Sequence, residues 1–237
     1  IQMQLDVCSA YGIEKKEAEK ALKITSDWLL RAKSEWEKQK EQGYKGILFP
    51  IVQGNFFEDL RKQSAEFVSE QGFEGIAIGG LSVGEPKEEY FKFLNYTVNC
   101  LEEDKAKYVM GIGTPDYILE AISNGIDMFD CVLPTRNARN GSYFTHDGML
   151  SIKQERFIHD FGPIDKECKC KVCQNYSRSY LRHIFKAQEI LSSMLASYHN
   201  LYFLNNLIKE ARDAINNDRF EDYKNLFMKR FSAGEIK

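Results

Sequence analysis

Two hydrophobic patterns alternate through the first half of the chain. Short runs rich in apolar residues are typical of strands buried within a parallel sheet, and they lie at residues 1–8, 47–52, 75–78, 108–110 and 127–132. Between them, apolar side chains recur every three or four positions, which predicts amphipathic helices. These helices are expected over residues 14–42 and about 56–71, after Pro86, and from Thr114 and Pro115 to Gly125.

Five strand–helix units in succession predict an α/β fold, in which helices cover a parallel sheet. Glycines or polar residues follow each strand, at the edge where active groups collect in a (β/α)8 TIM barrel. The chain opens at Ile1 inside an apolar run, so we expect the later strands of such a barrel, from a longer protein. A doubly wound open sheet is the alternative. No G-x-G-x-x-G sequence opens a helix after the first strand, which favours the barrel.

The pattern changes after Val132. Two turn dipeptides, Asn140-Gly141 and Asp147-Gly148, flank a short apolar segment and indicate a hairpin. Helices are predicted further on, over about Asn175–Leu195, Asn200–Ala214 and Asp218–Phe231. We therefore expect a barrel portion at residues 1–135 and a second part at residues 136–237, in which a metal-binding subdomain is followed by helices.

Composition and charge narrow the class of protein. A hydrophobic share of 43% and a formal net charge of −3 describe an ordinary globule. Residues 136–186 nevertheless contain ten Lys or Arg against five Asp or Glu, a local positive bias. The cysteines outside the metal run are scattered and give no disulfide framework, which fits a reducing cytoplasm. We find neither a signal peptide nor an apolar run long enough to span a membrane.

The strongest chemical signal is a run of three cysteines. Cys168, Cys170 and Cys173 lie within six residues, and His199 follows after a gap of twenty-five. Three thiolates and one imidazole are a set that zinc binds tetrahedrally with no open position. The alternative is a trio of free cysteines in a loop, which the neighbouring lysines disfavour. Such a zinc site stabilises a local fold and leaves the chemistry to other residues.

Candidate catalytic groups lie where the predicted strands end. Asp130 lies within an apolar frame, so we expect its carboxylate to be buried and either hydrogen-bonded or functional. It could act as a nucleophile in retaining glycosyl transfer or merely cap a loop, and Asp127 is its rival. Asp6 and Gln53 offer hydrogen-bonding groups that suit the edge of a purine or pyrimidine. Gly79 and Gly80 would let the backbone approach a flat ligand closely.

Two arginines follow the candidate nucleophile. The segment from Pro134 to Gly141 is predicted to be a loop that carries Arg136 and Arg139. Arginine suits contacts to phosphate and to base edges, and a solvated basic turn is the simpler alternative.

Several long motifs resemble one enzyme family. They are Asp127–Gly141 (DMFDCVLPTRNARNG), Ile51–Gly54 (IVQG), Gly79–Glu85 (GGLSVGE), Tyr108–Pro115 (YVMGIGTP) and the three cysteines with His199. Together they are similar to queuine tRNA-ribosyltransferases, or tRNA-guanine transglycosylases, across essentially the whole chain. The resemblance implies a zinc-bearing TIM barrel, a pentosyltransferase that replaces the wobble guanine of tRNAs with GUN anticodons.

The resemblance also implies roles for individual residues. Asp130, not Asp127, would attack ribose C1′ and hold the tRNA covalently while the bases exchange. The incoming 7-deazaguanine base would be held by Asp6, Gln53, Gly80, Leu81 and Met110. RNA contacts would come from two segments, which comprise Gly111, Ile112, Gly113, Thr114, Pro115, Asp116 and Tyr117, and Thr135, Arg136, Asn137, Ala138 and Arg139. The family also uses a proton-acceptor aspartate on an earlier strand, which the resemblance would place before Ile1.

The subtype and the assembly follow from the same resemblance. Cys8 and Val83 are similar to the bacterial enzymes, which use the aminomethyl base preQ1, whereas the eukaryotic enzyme takes the larger queuine. Bacterial members form homodimers around the zinc subdomain, where Tyr176, Tyr180 and His183 would lie, unless this helix face packs on its own chain. Two other functions stay open, a catalytically silent tRNA-binding partner subunit and a metal-stabilised interaction module.

Overall fold

The computed structural model describes residues 1–234, which form two compact units. The first contains residues 1–112 and 120–131, and the second contains residues 113–119 and the described chain from Val132 onward. No helix among residues 1–234 is long and apolar enough to cross a membrane.

The first unit is built on parallel strands. Its strands are β1 (Gln2–Met3), β2 (Leu48–Phe49), β3 (Ile51–Val52), β4 (Gly75–Ile78), β5 (Ala106–Val109) and β6 (Met128–Phe129). β1 pairs with β2, and β3 to β6 pair successively in the order of the sequence. Pro50, which has no backbone N–H, separates β2 from β3, while its carbonyl accepts a 2.8 Å hydrogen bond from the Ala77 N–H.

Helices follow the strands as the sequence predicts. They are α1 (Lys15–Glu41), α2 (Glu58–Ser69), α3 (Lys87–Asn99) and α4 (Pro115–Ser123). The buried stripe of α1 contains Ala18, Ala21, Leu22, Thr25 and Leu29, which have helical spacing. β2, β3 and β4 are buried at every position, as a sheet covered on both faces requires. The α/β class with a parallel sheet is confirmed.

The second unit combines a hairpin with helices. Its elements are α5 (Leu133–Arg139), β7 (Ser142–Thr145), β8 (Gly148–Ser151), a 3-10 turn (Glu155–Phe157), α6 (Lys171–Asn175), α7 (Arg178–Lys186), α8 (Ile190–Asn216) and α9 (Phe220–Gly234). β7 and β8 pair antiparallel around the predicted Asp147-Gly148 turn. Tyr143, Ile152, Phe157, Val172 and Leu181 belong to the core of this unit.

Two predictions in this half are wrong. The segment Pro134–Gly141, predicted as a loop, is largely the helix α5, with Pro134 in its first turn and Gly141 just past its end at φ +74°. The predicted helix at about Asn175–Leu195 is broken instead near Gln188, whose φ is +59°. α8 then runs without interruption through Asn200, because the Asn200 side chain binds other backbone groups and does not start a helix.

Candidate functional site

Polar groups line the carboxyl edge of the parallel sheet. Gln53 follows β3, Gly79 follows β4, Met110 follows β5 and Asp130 follows β6. The ladder continues to this edge, since the Gly79 N–H donates to Val52 at 3.0 Å and the Met110 N–H to Ile78 at 3.2 Å. Neighbouring strands are about 4.8 Å apart, so the backbones of Gln53 and Asp130 are at most about 15 Å apart. A purine-sized ring and its sugar can span that distance.

Asp130 is held by one carboxylate oxygen. Its Oδ1 accepts hydrogen bonds from the Tyr108 hydroxyl at 2.6 Å and from the Gly111 N–H at 2.9 Å. Oδ2 has no hydrogen-bond partner among residues 1–234. The carboxylate is exposed, so the expectation that it is buried is wrong. Two donors on Oδ1 fix the orientation of the group and leave Oδ2 without a donor.

The environment of Tyr108 raises the pKa of its phenol. Burial raises the pKa of the Tyr108 phenol, and the hydrogen bond to Asp130 raises it further. Tyr108 therefore stays protonated at neutral pH and keeps donating to Asp130. The sequence did not single out this residue.

Asp127 has a different environment. It precedes β6, whereas Asp130 follows it, so the two carboxylates lie at opposite ends of the strand. The Asp127 Oδ2 accepts a 2.8 Å hydrogen bond from the Lys107 N–H, and the Asp127 N–H donates to the Lys107 carbonyl at 2.8 Å. Asp127 thus pairs with the backbone at the start of β5 and is a structural residue.

Gln53 and Asp6 meet directly. The Gln53 Nε2 donates to the Asp6 Oδ2 at 2.6 Å, and Gln53 is 3% exposed. The glycines after β4 pack against the same amide. A Cβ on Gly80 would lie 2.2 Å from the Gln53 Oε1, and one on Gly79 would lie 2.7 Å from the Gln53 Nε2. Glycine at both positions therefore lets the backbone approach the Gln53 amide, and Gly80 also needs its positive φ of +67°.

The other two predicted base contacts flank this group. Leu81 is 5% exposed and follows Gly80 directly, while Met110 is half-buried at the end of β5. Beyond Leu81, the Glu85 carboxylate accepts hydrogen bonds from the N–H groups of Ser82 and Val83 and fixes the turn.

Arg61 is a residue of this region that the sequence analysis missed. It is wholly buried on α2, and burial lowers its pKa to about 10, so it stays charged at neutral pH. Its guanidinium donates to three backbone carbonyls, those of Asn55 at 2.8 Å, Gly79 at 2.7 Å and Gly80 at 3.0 Å. A charged residue on the buried stripe of α2, beside Leu60 and Ser64, was the signal that could have identified it.

The predicted RNA-contacting segments have mixed exposure. Gly111 is exposed with φ +79°, whereas Ile112 and Gly113 are buried and the Thr114 carbonyl accepts from Ile118 in the first turn of α4. In the second unit, Arg136 and Arg139 are exposed one turn apart on α5. Ala138 is buried in the core of that unit, so its side chain is not available to RNA.

The four predicted metal ligands converge in the second unit. The candidate ligand atoms of Cys168, Cys170, Cys173 and His199 all lie within 4.8 Å of one another. The His199 Nδ1 lies 3.9, 3.3 and 3.4 Å from the three sulfurs, in that order. Tetrahedral zinc, with Zn–S near 2.3 Å and Zn–N near 2.0 Å, places S and N about 3.6 Å apart. The cluster can hold a metal ion, and its donor set and spacing fit zinc.

Surrounding groups orient these ligands. The His199 Nε2 lies 2.7 Å from the Phe144 carbonyl, which assigns the ring proton to Nε2 and leaves Nδ1 free to bind a metal. The Asp165 Oδ1 accepts from the N–H groups of Glu167 and Cys168 and so shapes the cysteine loop. Hydrogen bonds from Cys168 and Cys173 lower the pKa of the Cys170 thiol, which favours the thiolate.

Asn200 connects α8, the helix that carries His199, to its neighbours. Its Nδ2 donates to the carbonyls of Pro134 at 2.9 Å and Ser142 at 3.0 Å, and its Oδ1 accepts from the Phe144 N–H at 3.0 Å. Since Asn200 directly follows His199, the same turn of α8 positions the metal ligand, β7 and the start of α5. The Cys3His cluster is thus part of the framework that carries Arg136 and Arg139.

This combination defines a class. A parallel sheet with carboxylate and amide groups at its carboxyl edge, joined in sequence to a Cys3His unit, is typical of an α/β enzyme with a structural metal centre. A family described as queuine tRNA-ribosyltransferase matches residues 1–233. The chain belongs to this family.

Individual relatives agree with this assignment. Proteins named queuine tRNA-ribosyltransferase from Treponema denticola, Borrelia duttonii and Caldanaerobacter subterraneus are 57%, 50% and 45% identical to the chain, over 98%, 100% and 98% of its length. The alignments cover 61%, 63% and 60% of those relatives, so the chain spans about three-fifths of the length of the curated relatives it matches.

Proposed function

We propose that the protein carrying this chain is a tRNA-guanine transglycosylase, a pentosyltransferase that replaces the wobble guanine of GUN-anticodon tRNAs with a 7-deazaguanine base. The observation that carries the proposal is the geometry of Asp130, with Oδ1 held by two donors and Oδ2 free at the carboxyl edge of the sheet. Family membership supplies the substrate class.

The exchange takes two displacements at ribose C1′. In the first, the Asp130 Oδ2 forms a bond to C1′ while the C1′–N9 bond breaks, and guanine leaves with the bonding electron pair and takes up a proton. In the second, the corresponding nitrogen of the incoming base attacks C1′, loses its proton and releases the carboxylate. Two inversions give overall retention, as in other transfers through a carboxylate ester.

Both bases would use the same recognition groups. Asp6 and Gln53, already joined by a hydrogen bond, offer acceptors and donors to the base edge. Gly80 and Leu81 would contribute backbone groups, and Met110 would pack against the ring. We assign preQ1 as the incoming base because Cys8 and Val83 are similar to the bacterial enzymes. The wobble nucleotide must leave the anticodon stack to reach this edge, as in other base-modifying enzymes.

Two segments would contact the tRNA. Gly111–Tyr117 and Thr135–Arg139 follow the strands β5 and β6, and the second carries the exposed Arg136 and Arg139. An exposed pair of guanidinium groups suits the phosphate backbone, which explains a local positive bias in a chain of net charge −3.

The structural parts of the proposal are a barrel and a zinc ion. The strands β3 to β6 are parallel and follow the order of the sequence, without the reversal of a doubly wound sheet, which supports a (β/α)8 barrel. Zinc would be held by Cys168, Cys170, Cys173 and His199. We place the boundary between the barrel portion and the zinc-binding subdomain near residues 135 and 136, and we assign the protein to the cytoplasm, where thiolates stay reduced.

A homodimer is part of the proposal. Tyr176 and Tyr180 stack with their ring centroids 5.4 Å apart, and Tyr180 and His183 are exposed. The neighbouring α8 exposes Ile190 by 77% and Met194 by 60%, one turn apart. An apolar stripe beside exposed aromatic rings is typical of a protein interface.

The covalent step provides the test of the function. Incubation of the protein with tRNA and radiolabelled guanine should incorporate label, and a denaturing gel should show a protein–tRNA adduct that Asp130→Asn cannot form. Asp127→Asn is the matched control and should still form the adduct at the same end point. A protein that binds tRNA without exchange or adduct would be the silent partner subunit, and one that binds no tRNA would be an interaction module.

A further inference from the structure

Arg61 is a buried cation that forms no ion pair among residues 1–234, although Glu85 is near enough to interact with it electrostatically. Its side chain has no carboxylate partner among residues 1–234, and all its hydrogen bonds go to backbone carbonyls. Taking a charge out of water without a paired counter-ion costs free energy, so a fold that keeps one there has a use for it.

The carbonyls that Arg61 binds belong to the predicted base site. The Gly79 carbonyl shares a peptide unit with the Gly80 N–H, and the Gly80 carbonyl shares one with the Leu81 N–H. A charged donor on a carbonyl oxygen polarises its peptide unit and makes the N–H on the other side a stronger donor. The two contacts, at 2.7 and 3.0 Å, therefore act on the backbone donors of Gly80 and Leu81.

The same guanidinium also joins the neighbouring loops. Its Nε binds the carbonyl of Asn55, a residue at φ +51° whose Nδ2 donates to the carbonyls of Ser9 and Ala10. One turn further along α2, Ser64 accepts a 3.0 Å hydrogen bond from the Gln53 N–H at its Oγ. Two polar residues on the buried stripe of α2, Arg61 and Ser64, thus fix the loops that follow β1, β3 and β4 together.

We propose that Arg61 is a positioning residue that orients and polarises the N–H groups of Gly80 and Leu81 toward negative charge on the exchanging base. The inference rests on the proposed function. When the glycosidic bond breaks, the departing base takes the electron pair, and oriented donors in a buried site stabilise such developing charge. Arg61 acts through the two peptide units and does not touch the base.

The test compares Arg61→Lys and Arg61→Met with the surface control Lys62→Met in the intact protein. Lysine keeps the charge, but its single ammonium group cannot reach the three carbonyls that the planar guanidinium of arginine binds. Exchange is measured with guanine and with a series of guanine analogues of graded N9–H acidity. We expect Arg61→Lys to lose about tenfold in kcat/KM for guanine, with Arg61→Met losing more. The loss should shrink as the base becomes more acidic, and the KM for tRNA should stay close to the wild-type value.

Each outcome has a distinct meaning. Equal loss for every base would assign Arg61 a merely structural role and overturn the inference, as would an Arg61→Lys variant with unchanged exchange. A wild-type protein that exchanges no base refutes the proposed function itself. Should neither variant fold, the amide resonances of isotope-labelled wild-type protein give the answer. Those of Gly80 and Leu81 must shift when guanine binds, and unchanged resonances would overturn the inference.

Discussion

The Tyr108 hydroxyl donates a 2.6 Å hydrogen bond to the Oδ1 of Asp130, across the neighbouring strands β5 and β6. The Gly111 N–H binds the same oxygen at 2.9 Å. One carboxylate oxygen is therefore anchored from the adjacent strand and the loop that follows it, and the other is presented at the sheet edge. Two strand ends together, not Asp130 alone, fix the orientation of this carboxylate.

Tyr108→Phe should slow formation of the covalent adduct by about tenfold, because a hydrogen bond to a charged oxygen typically contributes about 1.5–3 kcal/mol and part of this orients the nucleophile. The KM for guanine should change little, since Tyr108 touches the carboxylate and not the base. Single-turnover adduct formation on a denaturing gel measures the rate. An unchanged rate would mean that the Gly111 N–H alone orients Asp130.

Arg136→Gln combined with Arg139→Gln should weaken tRNA binding and leave the KM for free guanine unchanged. Each phosphate contact that is lost should reduce the slope of log affinity against log salt by about 0.7–0.9. A filter-binding titration at several salt concentrations gives that slope. Lys209→Gln combined with Arg212→Gln, at two exposed positions with the same spacing on α8, is the matched control for the loss of two positive charges. The same slope in the double variant and the control would exclude these arginines from the RNA interface.

Patterns that depend on neighbouring residues were readable from the sequence. The helix predicted over residues 14–42 is α1, Lys15–Glu41, because its apolar stripe and the flanking glycines are local signals. The cluster of Cys168, Cys170, Cys173 and His199 was readable too, because three of its members lie in one short run. The carboxyl-edge positions of Gln53 and Asp130 follow from strand order alone.

Features that depend on contacts between residues far apart in the chain could not be predicted from the sequence. The sequence predicts a helix start at Asn200, whereas its side chain binds the carbonyls of Pro134 and Ser142, which are more than fifty residues away in the sequence. The burial of Arg61 depends on loops at residues 55 and 79–80 that meet only in the fold. Only the pairing of β5 with β6 brings the Tyr108 hydroxyl to the Asp130 carboxylate. Asn200 and Arg61 are polar side chains that bind backbone groups, whereas Tyr108 donates to the Asp130 carboxylate.

Disruption of the dimer interface is expected from Met194→Asp, because a charge on the apolar stripe of α8 would have to be desolvated on association. Sedimentation velocity should show a shift from dimer toward monomer. Leu226→Asp is the control, since Leu226 on α9 is 72% exposed and outside this stripe. A monomeric wild type, or a dimer in which Met194→Asp has no effect, would contradict the proposed homodimer.

Removal of the metal should unfold the second unit. Cys170→Ser should abolish stoichiometric zinc, as measured by elemental analysis, and lower the unfolding temperature, because binding free energy at such a site is folding free energy. Asn200→Ala removes three hydrogen bonds next to His199 without removing a ligand, so it should bind zinc and lose less stability. Full zinc content in Cys170→Ser would exclude the Cys3His centre.

His146 and Asp165, beside the cysteine loop, make a pH-dependent contribution to the stability of the second unit. The Asp165 Oδ2 accepts hydrogen bonds from the backbone N–H of His146 at 2.9 Å and from its Nδ1 at 2.7 Å. The hydrogen bond to Asp165 raises the pKa of His146 above 6.5, although burial opposes the shift. Burial would raise the pKa of Asp165, but hydrogen bonds from His146 and Glu167 outweigh it and lower that pKa below 3.8.

The directions of these two pKa shifts define the pH range in which the two groups stabilise the fold. The contribution of His146 is fully present below its unfolded pKa of 6.5 and is lost as pH rises through the raised folded pKa. That of Asp165 is present above 3.8 and is lost as pH falls through the lowered folded pKa. His146→Gln should therefore cost about 1 kcal/mol more at pH 5.5 than at pH 8.5, measured by urea unfolding at saturating zinc in both proteins. A cost that is equal at the two pH values, or larger at pH 8.5, would show that His146 contributes only as a neutral ring packed against Phe203.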